Sequence, residues 1–131
     1  MCGIAGALTL APSVDARAEI EAMTAALYHR GPDAGAVFVD DSAGVSLGHR
    51  RLAVIELSER GAQPMRSADG RFVFVFNGEI YNHLSLRREL EATRVVDWRG
   101  TSDTETLVEC FAAWGVASTL HKAVGMFAFA L

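Results

Sequence analysis

Apolar and polar positions divide the chain into short extended runs and amphipathic stretches. Gly3 to Leu10 is a first apolar run and predicts a strand, which Pro12-Ser13 breaks. Ser13 is placed to cap a helix from about Val14 to Tyr28, with Ala16, Ile20, Met23 and Leu27 on one face. Ala36 to Val39 and Val45 to Leu52 are extended runs joined by Asp40-Asp41-Ser42-Ala43-Gly44, which is hairpin chemistry. Ser58 to Gly70 is polar, with glycine and proline, and reads as loop. Arg71 to Phe76 is a continuous apolar strand ending at the turn dipeptide Asn77-Gly78.

A helix from about Asn82 to Glu91 follows, anchored by Leu84, Leu86 and Leu90. Arg94 to Trp98 is a further extended run. Ser102 and Glu105 form a capping box for a helix to Trp114, ended by Gly115, with Leu107, Cys110, Phe111 and Trp114 as its buried stripe. Leu120 belongs to a short linking turn. In Gly125 to Leu131, Met126, Ala128 and Ala130 alternate with Phe127, Phe129 and Leu131, so both faces are apolar. That pattern predicts an inner strand covered on two sides. Because an inner strand is an odd place for a finished protein to stop, the expectation is a domain truncated at its C-terminus.

Composition narrows the class. With 131 residues, half of them hydrophobic and 21% charged, the chain is one well-buried domain rather than a disordered segment. The net charge is −4, and the Arg50-Arg51 and Arg87-Arg88 pairs are too short for a nucleic-acid footprint, so no nucleic-acid partner is expected. Met1 to Leu10 is apolar but short, with no basic residue ahead of it, which fits neither a signal peptide nor a membrane span. Cys2 and Cys110 make no disulfide framework, and a reducing cytoplasm suits them.

Three sets of residues could carry chemistry. Removing Met1 would put a thiol and a free α-amine on Cys2, and an amine that is partly uncharged at neutral pH can take the thiol proton. Cys2 is otherwise a small apolar residue at a strand start. Asn77 and Gly78 could supply a side-chain amide and a backbone N–H to a developing oxyanion, or could be an ordinary turn. Arg51 and Asp103 offer the guanidinium and carboxylate that a free amino acid wants. The plainer alternatives are a solvated edge charge for Arg51 and helix capping for Asp103. Cys110 falls on an apolar helix stripe and reads as core. His29, His49, His83 and His121 show no metal spacing, and no phosphate-binding glycine loop occurs.

The chain resembles the class II glutamine amidotransferases, which are N-terminal-nucleophile (Ntn) hydrolases. The blocks that carry the resemblance are Met1-Cys2-Gly3-Ile4-Ala5-Gly6, His29-Arg30-Gly31-Pro32-Asp33, Leu47-Gly48-His49-Arg50-Arg51-Leu52 and Gln63-Pro64-Met65. They continue with Phe76-Asn77-Gly78-Glu79-Ile80-Tyr81-Asn82, Ser102-Asp103-Thr104-Glu105 and Gly125-Met126-Phe127-Ala128-Phe129. Their order and spacing are those of the amidotransferase half of glutamine-hydrolysing asparagine synthetases.

The resemblance implies an α+β fold, a four-layer α/β/β/α sandwich of two antiparallel sheets between helices. It implies Cys2 as nucleophile, Asn77 and Gly78 as oxyanion donors, and Arg51 as the clamp on the glutamine α-carboxylate. Asp103 and Glu79 would stand near the α-amine, with the Val54 backbone along the same pocket; Arg50 receives no role. Glutamine is the implied substrate and a synthetase domain or subunit the implied ammonia acceptor. No cofactor is expected in this domain, and ATP and Mg belong only to the missing synthetase domain. Two alternatives stay open: a glutaminase serving a different acceptor, and a degenerate fragment with only a structural or binding role.

Overall fold

The computed structural model describes residues 2–10, 15–54 and 56–131. Along the chain these form β1 (Gly3–Leu8), α1 (Ala16–Ala26), β2 (Ala34–Asp40), β3 (Val45–Arg51), β4 (Met65–Arg66) and β5 (Val73–Ile80). They are followed by α2 (His83–Glu91), α3 (Asp103–Trp114), α4 (Val116–Lys122) and β6 (Gly125–Ala130). The strands make two antiparallel sheets, ordered β1-β3-β2 and β4-β5-β6. Helix α1 packs on the outside of the first sheet, and α3, with α2 and α4 against it, packs on the outside of the second. Strands β1 and β3 face β5 across the middle. The result is an α+β sandwich with helical outer layers and two sheets between them.

Strand alternation explains the layering. In β3, Gly48 faces α1, where an added Cβ would come within 1.9 Å of Thr24 Oγ1. The missing side chain lets the helix lie close, with Ile20 and Thr24 as its buried face. The neighbouring positions Leu47, His49 and Arg51 therefore point the other way, toward the second sheet. In β5, Phe74, Phe76 and Ile80 point outward into a core shared with Leu86, Leu90, Leu107, Cys110 and Phe111. Phe74 and Phe111 meet edge to face, with centroids 5.5 Å apart, a favoured aromatic geometry.

Several expectations need correcting. Asn77-Gly78 does not end a strand: β5 runs through it to Ile80, because β6 continues to pair there. Among the described residues β6 pairs only with β5, and Met126 on it is 73% exposed rather than covered. Arg94 to Trp98 forms no strand, Leu120 sits in α4 rather than a turn, and the loop from Ser58 contains a 3₁₀ turn and β4. Met23 and Leu84 are exposed and Trp114 is half-buried, since the buried stripes run through Thr24 and Leu86 instead. The first strand stops at Leu8. The Ser13 cap lies outside the described residues. Half of the capping box forms: Ser102 Oγ accepts from Glu105 N at 3.1 Å, while the Glu105 carboxylate accepts from Arg99 N and Gly100 N.

One buried histidine ties the sheets together. His49 Nε2 donates to the Phe76 carbonyl at 3.1 Å, and a carbonyl only accepts, so this nitrogen carries the proton. Burial first, then the charges of Arg51 and Arg50, hold the imidazole down at about 4, although the hydrogen bond opposes this. An unfolded imidazole titrates near ~6.5, so the unfolded state takes up a proton that the folded state refuses. Stability is therefore lost as pH falls from about 6.5 to about 4, by on the order of 3 kcal/mol. Urea unfolding at neutral pH and at about pH 4.5 checks the size of the loss. His49→Gln is expected to flatten the slope in that window.

Candidate functional site

A cleft of about 440 Å³ opens at one end of the sandwich, between the sheets. Cys2, Arg51, Val54, Asn77, Gly78, Glu79 and Asp103 all line it, so the seven residues given a site role from the sequence converge on one place. They come from β3, β5, the first turn of α3 and the segments flanking β1 and β3. The cleft is also lined by Glu56, Gln63, Tyr81, Ser102 and Thr104, to which the sequence reading gave no site role.

The short β4 decides what β5 presents to this cleft. Residues in an antiparallel strand send their backbone N–H groups alternately to one neighbour and the other. Tyr81 N donates toward the β6 side, to the Val124 carbonyl at 2.8 Å. The even-numbered residues of β5 therefore face the β4 side, yet β4 pairs only with Val73 and Phe74. Past it, side chains substitute for a strand. Phe76 N donates to Gln63 Oε1 at 2.6 Å, and the Phe76 carbonyl accepts from His49. Ile80 N donates to Asp103 Oδ2 at 2.9 Å. Between them lies Gly78, whose N–H points the same way, into the cleft.

Gly78 has a second reason to be glycine. Opposite Phe127 it forms the close type of pair, in which the two strands exchange no hydrogen bonds. An added Cβ would lie 2.3 Å from the Met126 carbonyl oxygen and 2.5 Å from Phe127 Cα. Next to it, Asn77 Oδ1 is buried with no hydrogen-bond partner among the described residues. A buried amide oxygen left unpaired is a destabilising arrangement, typical of a side chain held for chemistry rather than for the fold.

On the other wall, Cys2 Sγ lies 3.4 Å from Leu52 N and 3.7 Å from the Leu52 carbonyl, and Cys2 is half-buried. The backbone it touches is fixed from the Gly31-Pro32-Asp33 turn. Asp33 N donates to the Arg51 carbonyl at 3.0 Å, and Asp33 Oδ2 accepts from Ala53 N at 2.8 Å. Arg50 holds the turn itself, donating to the Gly31 and Pro32 carbonyls and lying over the Tyr28 ring. It thus has a structural duty.

Arg51 is 9% exposed and is no solvated edge charge. Its Nη1 donates to the Ser58 carbonyl at 2.7 Å and its Nη2 to the Glu56 carbonyl. A guanidinium has five N–H donors, so it retains donors for a ligand. Asp103 does cap, since Oδ1 accepts from Thr104 N at 2.9 Å while Oδ2 holds Ile80. Each carboxylate oxygen keeps a second lone pair, so capping and ligand binding are compatible. Val54, 74% exposed, stands at the rim, and Glu79 is exposed within the cleft.

Gln63, His49 and Asp33 hold the site although the sequence reading gave them no part in it. Their sequence signal was membership of the recurring blocks; composition and periodicity carried none.

The two thiols differ in access, Cys2 being half-buried and Cys110 buried. Cys110 is fully buried in the helical core, and burial, with Glu89 and Glu109 nearby, pushes its thiol up to about 12. Thiol reagents act on thiolates that they can reach. Iodoacetamide at mildly alkaline pH is expected to modify Cys2 alone in the folded protein, with Cys110 reacting only after unfolding. Peptide mapping of the alkylated protein reads this directly.

No helix among the described residues is long and apolar enough to cross a membrane. A glutamine amidotransferase domain family matches residues 1–131. Among curated proteins, the chain is 39% identical over 132 residues to glutamine-hydrolyzing asparagine synthetase 1 of Bacillus subtilis (strain 168), covering 98% of this chain and 20% of the relative. It is 37% identical over 134 residues to glutamine-hydrolyzing asparagine synthetase 3 of the same organism, covering 100% of this chain and 21% of that relative. The chain thus spans about a fifth of the length of these relatives. A match running the whole length, together with a cleft that gathers the family's motif residues, means that the chain belongs to the glutamine amidotransferase domain family.

Proposed function

We infer that the chain hydrolyses the side-chain amide of glutamine through a thioester on Cys2, releasing glutamate and ammonia. The observation that carries this reading is the meeting, in one cleft, of the Cys2 thiol, the cleft-facing Gly78 N–H beside Asn77, and the Arg51 and Asp103 pair.

After removal of Met1, the α-amine of Cys2 takes the thiol proton, directly or through one water. The sulfur attacks the side-chain carbonyl of glutamine, and the oxygen that becomes charged is met by the Asn77 amide and the Gly78 N–H. When this intermediate collapses, the C–N bond breaks, the α-ammonium returns its proton to the departing nitrogen, and ammonia leaves. Water, deprotonated by the same amine, then attacks the thioester, releasing glutamate and restoring the thiol. Arg51 grips the α-carboxylate of the substrate, Asp103 and Glu79 face its α-ammonium, and the Val54 backbone runs along the pocket. The ammonia goes to a synthetase domain or subunit that is not among these residues. The relatives' names support an acceptor of the asparagine-synthetase kind, with ATP and Mg used there rather than here. A reducing cytoplasm would keep the nucleophile as a thiol.

Diazo-oxo-norleucine, an electrophile with the amino-acid head of glutamine, tests the reading by mass spectrometry. One adduct on Cys2 is expected, and none in Cys2→Ala. Uptake on Cys110, or no uptake at all, would overturn the assignment. Intact mass of active protein should show Met1 removed.

Variants separate the roles. Asn77→Ala is expected to lower kcat by roughly 10²–10³ with KM little changed, because that donor acts chiefly in the transition state. Arg51→Lys keeps the charge but loses the paired geometry, and should weaken glutamine binding by on the order of 1–3 kcal/mol. Steady-state kinetics of glutamate release measures both. Unchanged kcat in the first variant, or unchanged KM in the second, would reassign that residue.

A further inference from the structure

Arg51 and Asp103 reach the cleft from different supports, one at the end of β3 and one in the first turn of α3. A small zwitterion gripped at both ends needs the separation of those two groups fixed. Backbone carbonyls of the loop after β3 hold the Arg51 guanidinium, at Glu56 and Ser58. The chain leading into α3 is held separately: Arg99 N and Gly100 N donate to the buried Glu105 carboxylate at 2.8 and 2.9 Å.

The Glu56 side chain joins the two supports. Its Oε1 accepts from Ser58 N at 3.1 Å and from Ser58 Oγ at 2.6 Å. Its Oε2 accepts from Thr101 N and Thr101 Oγ1, both at 3.1 Å. One residue thus gives its backbone carbonyl to Arg51 and its carboxylate to Thr101, two positions before Asp103. We propose that Glu56 is a positioning residue that sets the distance between the Arg51 clamp and the Asp103 carboxylate, and so tunes the cleft to the head of a free α-amino acid. This rests on the proposed function, in which those two groups bind the α-carboxylate and α-ammonium. The Ser58 hydroxyl first, then the Thr101 N–H, hold the Glu56 carboxyl down at about 2, so it stays a full acceptor throughout the working pH range. A loop staple with no bearing on ligands would use the same bonds, and the test has to separate the two roles.

The test compares two electrophiles that reach the same sulfur. Diazo-oxo-norleucine must be held by its amino-acid head, whereas iodoacetamide has none. In Glu56→Ala the half-saturating concentration of diazo-oxo-norleucine is expected to rise about tenfold, as for a small misplacement of a binding group. Its limiting labelling rate, the iodoacetamide rate and the melting midpoint should stay close to wild type. Thr101→Val, which removes one of the four bonds and keeps the Thr101 position, is expected to give a smaller rise of the same kind. It carries the test if Glu56→Ala does not fold. Both electrophiles slowing together would make Glu56 a structural staple, and an unchanged half-saturating concentration would remove its role; either result overturns the proposal. Wild-type protein that takes up no diazo-oxo-norleucine would instead fail the proposed function itself.

Discussion

Strand β4 is two residues long, and much of the cleft follows from that brevity. A strand without a neighbour still has to satisfy its inward-facing backbone groups. Beyond Phe74, β5 does so with side chains borrowed from three places: Gln63 ahead of β4, His49 on the opposite sheet and Asp103 at the head of α3. Each borrowed group also anchors an element that builds a wall of the cleft. A longer β4 would have paired the same groups in a regular ladder and covered the Gly78 N–H. The site is therefore a gap in a sheet, kept open and kept rigid by the residues that repair its margins.

Rigidity on the other wall has a comparable origin. The Cys2 sulfur rests against the Leu52 backbone, which the Asp33 carboxylate and the Asp33 N–H hold in place on either side, at Ala53 and Arg51. None of these contacts is hydrophobic. The apolar core lies outside the second sheet, among Phe74, Phe111, Leu86 and Leu107. Packing thus sets where the layers are, while hydrogen bonds to backbone set where the reactive atoms are.

This division explains what the sequence made legible. Alternation and helical spacing located most elements, because burial of residues such as Ile20, Leu90 and Leu107 is what generates those periods. They failed at Asn77-Gly78, where turn chemistry outvoted the continuation of the strand. There the pairing with β6, a contact distant in sequence, keeps the backbone extended. At Gly125–Ala130 the alternation did locate a strand, which pairs with β5 among the described residues. Cys2, Asn77, Gly78, Arg51 and Asp103 were visible as residue types suited to acyl transfer on an amino acid, whereas Val54 and Glu79 were visible only through the recurring blocks. No periodicity could indicate that Gln63 or His49 would serve a strand edge, since such bonds depend on the layout of both sheets. Asp103 shows that the plainer reading, helix capping, does not remove a residue from the cleft, since the same side chain caps α3 and lines the cavity.

The outer edge of β6 has a consequence for handling the molecule. Among the described residues no strand pairs with it on that side, and the segment from Gly125 to Leu131 has neither charge nor proline. Natural sheets usually guard such margins with lysine, proline or a bulge, because a bare row of N–H and C=O groups is a template for another chain. An apolar face carrying Met126 beside that row adds a dry contact to the backbone pairing. Concentration, more than temperature, would then govern how long a solution of this chain stays clear, and because Met126 and Ala128 also line the cleft, pairing along this margin would crowd the site as well.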